Sequence, residues 1–174
     1  MKTTSYKNKL SLLDKLKTKS KREANIFFSL CEKDSEIISA KKFKNVLLNS
    51  GLKAKDKRLY NLFQNLDAHG DRIVFEDFIE IIRSSELIVE KALRGELSIP
   101  DFSYFAKNLD NMFDEVKKIK LGELASYIPP LANVDPDQFG VAIVTTDGQI
   151  YQRGDSEVDF SIQSMCKPFN YCFA

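Results

Sequence analysis

A serine followed three residues later by a lysine becomes a small catalytic device when the pair sits on a helix. Positions i and i+3 share one face, so in Ser164-Met165-Cys166-Lys167 the amine stands beside the hydroxyl. A free serine hydroxyl is a weak nucleophile. A lysine held in a desolvated setting, with its pKa lowered, can accept or relay the proton. The start of a helix adds a backbone N–H at Ser164 that can help hold an oxyanion. The chemistry this pattern supports is acyl transfer through serine. The pattern occurs three times, at Ser39 to Lys42, Ser50 to Lys53 and Ser164 to Lys167. The first two fall in polar parts of a helical repeat and read as surface residues. Only the third follows a strand-like segment and opens an apolar helix, the setting in which the motif does chemistry.

Other catalytic constellations find less support. His69 is the single histidine, and nothing around it suggests a Ser-His-Asp triad or a histidine-rich metal site. Cys31, Cys166 and Cys172 make an odd count without metal-ligand spacing, which suggests reduced thiols and a cytoplasmic protein. The loop at 65–78 invites a calcium reading, with Asp67, His69, Asp71 and Asp77 near ligand positions 1, 3, 5 and 12. That register is one residue short, lacks the sharp-turn glycine after Asp71, and ends in Asp. A register from Asn65 gains Gly70 and Glu76 but puts Arg72 where isoleucine belongs. The first loop of the repeat, Cys31 to Lys42, offers a thiol at its start and a lysine at its end. Hard cations want six or more oxygens, so the expectation is a metal-free pair and no cofactor.

The elements that must position these residues follow from periodicity. A composition of 43% hydrophobic and 29% charged residues over 174 positions suits one or two small folded domains. A net charge of +1 gives no reason to expect a nucleic-acid partner. No apolar run approaches bilayer length, so no membrane partner is expected. The leading stretch lacks a long apolar centre, is lysine-rich and contains Asp14, which fits neither a signal peptide nor a transit peptide. Residues 1–23 read as a basic, solvated extension. Residues 24–83 contain a weak repeat in which Ile38 and Ile73, and Phe43 and Phe78, are equally separated. Each copy reads as helix, loop, helix, with one isoleucine per loop forming a short strand pair. That is the layout of paired EF-hands. Ser98-Ile99-Pro100-Asp101 marks a break, with Pro100 in the first turn of a new helix and Ser98 as its cap. Phe102, Phe105, Leu109, Met112, Phe113, Val116 and Ile119 then recur at helical spacing as a core stripe. A short helix is expected from Glu123 to Tyr127. Val141 to Val144 reads as a strand, Asp147-Gly148 as a hairpin turn, and Ile150-Tyr151 as the start of the return strand.

Residues 100–174 carry a further set of runs, in order. They are Tyr127-Ile128-Pro129-x-Leu131, Phe139-Gly140-Val141-Ala142 with Thr146-Asp147-Gly148-Gln149, Gly154-Asp155, Phe160-Ser161-Ile162-Gln163-Ser164, and Lys167-Pro168. This set resembles the start of the glutaminase catalytic domain, a member of the β-lactamase and penicillin-binding fold group. The longer, kidney-type members also carry an EF-hand-like helical module in front. The resemblance implies an α+β chain: an all-helical EF-hand-like module at 24–97, then, at 98–174, the first helices, β-hairpin and catalytic helix of the glutaminase domain.

The resemblance also implies hydrolysis of L-glutamine to L-glutamate and ammonia, in a homo-oligomer (dimer or tetramer). Ser164 would attack the side-chain amide carbon and Lys167 would take or relay the hydroxyl proton. Tyr127 would hydrogen-bond near the nucleophile and shape the pocket, although it equally suits an amphipathic core tyrosine. Gln163 would contact bound substrate, where a helix-start polar residue is the plainer alternative. The family's asparagines, glutamate and later tyrosines lie downstream of this helix, so the expectation is a fragment inactive on its own. Two rival readings are another S-x-x-K acylase of the β-lactamase or penicillin-binding kind, and a non-catalytic or calcium-sensing helical module.

Overall fold

The computed structural model describes residues 18–31 and 36–173. The expected basic extension lies outside them as far as residue 17. Among the described residues there are seven α-helices: α1 (Thr18–Leu30), α2 (Ala40–Asn49), α3 (Tyr60–Ala68), α4 (Phe75–Ile82), α5 (Glu86–Arg94), α6 (Phe102–Lys117) and α7 (Lys167–Phe173). Four strands, β1 (Ile38–Ser39), β2 (Arg72–Ile73), β3 (Gly140–Val144) and β4 (Ile150–Gly154), form two two-stranded sheets, β1-β2 and β3-β4. Two 3₁₀ turns, Pro129–Asn133 and Gln163–Cys166, complete the mixed helix and strand content. The chain divides into two compact units, one formed by residues up to Ala106 with Val144–Ile150, the other by Lys107–Ile143 with Tyr151–Ala174.

In the first unit the sequence repeat becomes a repeat of helix, loop and helix. Its loops pair as antiparallel strands in the register Ile38 to Ile73 and Ser39 to Arg72. Strands of two residues have little stability of their own. They form because both isoleucines are wholly buried in a core that also holds Phe27, Phe43, Leu47, Leu62, Phe78 and Ile82. Phe78 sits 5.5 Å, centroid to centroid, from both Phe27 and Phe43, in tilted contacts that tie the two copies together. Helix α4 shows why its residues fold this way. Phe78, Ile81 and Ile82 are buried at i, i+3 and i+4, while Glu76 and Asp77 place negative charge at the positive end of the helix dipole. Helix α5 ends at Gly95, whose left-handed φ of 67° lets the backbone turn back, and the Glu96 N–H bonds to the Lys91 carbonyl at 2.8 Å.

Helix α6 begins at the expected break, but its cap differs from the expected one. The Asp101 carboxylate accepts from the Tyr104 N–H at 3.0 Å, as an N-cap does. The Ser98 N–H and hydroxyl instead both donate to Asp147 at 2.9 Å. The stripe along α6 is also less of a core than its spacing suggests: Phe102 and Phe113 are buried, whereas Met112, Val116 and Ile119 are exposed.

In the second unit, Phe113 stacks on Phe139 at 4.8 Å, and the Arg153 guanidinium lies 4.8 Å above the Phe113 ring. Arg153 is held there by ion pairs to Asp110 (2.8 Å) and Asp114 (2.7 Å) on successive turns of α6. Tyr151 donates its hydroxyl to Asp110 at 2.9 Å; burial first, and the neighbouring carboxylate second, push its phenol pKa up. Gly154, with φ of 66°, leaves β4 where a Cβ would meet the Phe113 ring edge at 2.6 Å. The helix expected from Glu123 to Tyr127 does not form; this stretch is irregular. Five residues cannot recover the cost of nucleating a helix, and Pro129 drives Ile128 into the extended region, with φ of −125° and ψ of 123°. No described helix is long and apolar enough to cross a membrane.

Candidate functional site

The Ser164 segment is built from the base of the hairpin. After Gly154 the chain is pinned to Phe139, the residue before β3, since the Asp155 N–H donates to the Phe139 carbonyl at 3.1 Å and the Phe139 N–H to the Asp155 carboxylate at 2.9 Å. It then runs to Gln163, whose φ of 43° is the one positive value at a non-glycine among the described residues. A left-handed conformation at a residue with a Cβ costs free energy and is found where a site constrains the backbone. The Gln163–Cys166 3₁₀ turn follows and passes into α7 at Lys167, whose N–H bonds to the Ser164 carbonyl. Ser164 therefore stands one turn ahead of Lys167, at the entry to the helix.

Of the four residues expected to form a site, the structure joins two directly: the Tyr127 hydroxyl donates to Gln163 Oε1. Tyr127 is 72% exposed, so it is not a core tyrosine in this chain. Ser164 and Lys167 are exposed, and no side-chain hydrogen bond links them among the described residues. A cleft of about 640 Å³ is lined by Phe160 and Met165, on either side of Ser164 in sequence, but not by the four residues themselves.

The other two copies of the motif are used structurally. Ser39 is the N-cap of α2: its Oγ accepts from the Lys42 N–H at 3.2 Å and donates to Asp71 Oδ1 at 2.9 Å. The Ser50 hydroxyl donates to the Leu47 carbonyl at 2.7 Å. The carboxylates of the calcium-type loop are similarly engaged. Asp67 pairs with the Lys44 ammonium at 2.5 Å, and Asp77 with His69 Nε2 at 3.2 Å. Asp71 accepts from the Lys41 N–H at 3.2 Å as well as from Ser39, and these bonds hold its carboxyl below the usual range. Among the described residues no group of three His, Cys, Asp or Glu side chains is placed to hold a metal ion.

The paired loops and the buried isoleucine pair define the first unit as an EF-hand-type module, and residues 22–100 match the model of an EF-hand domain family. Residues 122–174, which contain Tyr127, Gln163, Ser164 and Lys167, match the glutaminase family model. Relatives with the same name accompany that match. A glutaminase liver isoform, mitochondrial, of Rattus norvegicus is 31% identical over 155 residues, covering 86% of this chain and 26% of that protein. Putative glutaminase 3 of Caenorhabditis elegans is 33% identical over 144 residues, covering 75% of this chain and 24% of that protein. A glutaminase of a Nostoc species is 44% identical over 85 residues, covering 49% of this chain and 25% of that protein. The chain is thus similar to glutaminases, through residues 122–174 in the family model and over most of its length in the rat and nematode relatives. It spans about a quarter of the length of these relatives.

Proposed function

We propose that the protein to which these residues belong is a glutaminase, hydrolysing L-glutamine to L-glutamate and ammonia through a serine nucleophile. The observation that carries this reading is the glutaminase match over 122–174, which includes the Ser164 to Lys167 copy of S-x-x-K at the entry to a helix. Ser164 Oγ attacks the side-chain amide carbon while its proton passes to Lys167. The acyl bond to Oγ forms as the C–N bond breaks, and the proton leaves with ammonia. Water then attacks the glutamyl ester and returns Ser164 to its free state. The backbone N–H at Ser164 is one oxyanion donor. Tyr127, through its bond to Gln163, orients the amide of Gln163 toward substrate.

The same reading includes a β-lactamase-like catalytic fold, a division into residues 1–23, 24–97 and 98–174, and a dimeric or tetrameric assembly. It also includes a metal-free EF-hand-like module, supported by the internal partners of Asp67, Asp71 and Asp77. We keep a cytoplasmic location on the odd count of cysteines, Cys31, Cys166 and Cys172, without metal-ligand spacing. The rat relative is mitochondrial by name, and fractionation of the tagged protein decides between the two.

The test is covalent trapping of the full-length gene product with a diazo-ketone analogue of glutamine, followed by peptide mass spectrometry. The adduct is expected on Ser164. A label on any other residue would show that the nucleophile is misassigned.

A further inference from the structure

The tip of the β3-β4 hairpin, Val144–Ile150, belongs to the first compact unit. Its chemistry is unusual for a solvent-facing turn. Gln149 is wholly buried, and its amide is matched on both sides. Nε2 donates to the Ser50 and Ile99 carbonyls, both at 2.8 Å, and Oε1 accepts from the Ile99 N–H at 2.9 Å. Burying an amide is costly unless its hydrogen bonds are made, and a buried amide that makes them all specifies its surroundings closely. Asp147 works beside it: Oδ1 accepts from Lys91 at 2.9 Å, and Oδ2 from the Ser98 N–H and hydroxyl. The Asp147 carbonyl accepts from Arg58 Nη2 at 2.7 Å, and Arg58 is itself held by Asp56 at 2.6 Å. Gly148 passes beneath that guanidinium with φ of 87°, where a Cβ would fall 1.8 Å from Nη2. The first residue of β4 is fixed too, since the Ile150 N–H donates to the Gly51 carbonyl at 2.9 Å.

We propose that Thr145–Gln149 is a clasp. It closes over the Ser98-Ile99 segment, where the EF-hand match ends and the chain turns toward α6, and it anchors Ile150, the first residue of β4. Asp147 and Gln149 are therefore positioning residues rather than substrate contacts. Opening the clasp releases the Ser98-Ile99 backbone and the start of β4 together, which makes it a conformational device within the first unit.

Hydrogen exchange of the 174-residue chain, read by mass spectrometry with fragment-level resolution, tests this. In Asp147→Ala and in Gln149→Leu, exchange should speed by about tenfold or more both at Ser98-Ile99 and at Ile150, the start of β4. Lys91→Met removes one partner and should move both segments in the same direction by less; it carries the test if either of the other variants fails to fold by circular dichroism. Faster exchange at Ser98-Ile99 with the start of β4 unchanged would show a local turn contact and overturn the clasp, as would no change in either segment.

Discussion

At the scale of single residues, the three copies of one motif separate by what each hydroxyl touches. Ser39 caps α2 and bridges to Asp71, Ser50 bonds to the Leu47 carbonyl, and Ser164 stands exposed at a helix entry. In the full-length protein, Ser164→Ala is expected to abolish diazo-ketone labelling and nearly all turnover. Lys167→Arg should fail comparably, because a guanidinium stays protonated and cannot take the hydroxyl proton; wild-type turnover in that variant would remove Lys167 from the mechanism. Ser39→Ala should leave labelling intact and lower stability by about 1 kcal/mol, the usual cost of a lost N-cap. Urea titration of the two proteins measures that difference, and a midpoint unchanged from wild type would contradict the capping role.

At the scale of elements, two loops that look alike in outline do different things. The calcium-type loop has its carboxylates turned to Lys44, His69, Ser39 and Lys41. Calorimetric titration with calcium should give no saturable heat up to roughly millimolar, the weak end for modules of this type. A tighter single-site isotherm would contradict the metal-free reading. The hairpin tip is instead an acidic anchor. Lys91 first, and the Ser98 hydroxyl and N–H after it, hold the Asp147 carboxyl below its ordinary value. A depressed folded-state pKa means that the stabilisation is fully present above the unfolded value, about 3.9, and is lost as pH falls through the folded value. The gap in thermal midpoint between wild type and Asp147→Asn should therefore be constant near neutrality and shrink below about pH 4. Other carboxylates titrate in both proteins and cancel in the comparison. An undiminished gap at about pH 3 would show that the charge on Asp147 is not what stabilises the turn.

At the scale of the whole molecule, the two units are stabilised unequally. The first buries Phe27, Ile38, Phe43, Leu47, Leu62, Ile73, Phe78, Ile82 and Val89 almost completely. In the second, the buried apolar side chains among the described residues are Phe113, Leu131 and Tyr151, while Ile128, Phe160, Ile162, Met165 and Phe169 are exposed. Stability follows local burial, so amides of 107–143 and 151–173 should exchange at lower urea than those of 38–82. Ile73→Ala should lower the stability of the first unit by about 2–5 kcal/mol, as for a fully buried large-to-small change. Equal protection of the two regions would show that the core residues named here do not set the order of unfolding.

The sequence alone determined what depends on period and local chemistry. The equal spacing of Ile38 and Phe43 against Ile73 and Phe78 predicted a strand pair whose observed register is Ile38 to Ile73, because two copies of one amphipathic unit can share a core in few ways. The turn at Asp147-Gly148 and the strand–serine–lysine order were legible for the same reason. What the sequence did not decide was which partner satisfies a polar group. Ser98 was the obvious helix cap, yet Asp101 takes that place and Ser98 bonds to a carboxylate 49 residues away. Spacing named Met112, Val116 and Ile119 as core, but periodicity records that a face is apolar and not whether anything covers it. Gln149 follows the Asp147-Gly148 turn and is wholly buried; its hydrogen-bond partners at Ser50 and Ile99 lie far off in sequence, and only the folded chain brings their carbonyls together. Long-range hydrogen bonds of this kind carry no periodic signature, so they belong to the tertiary structure alone.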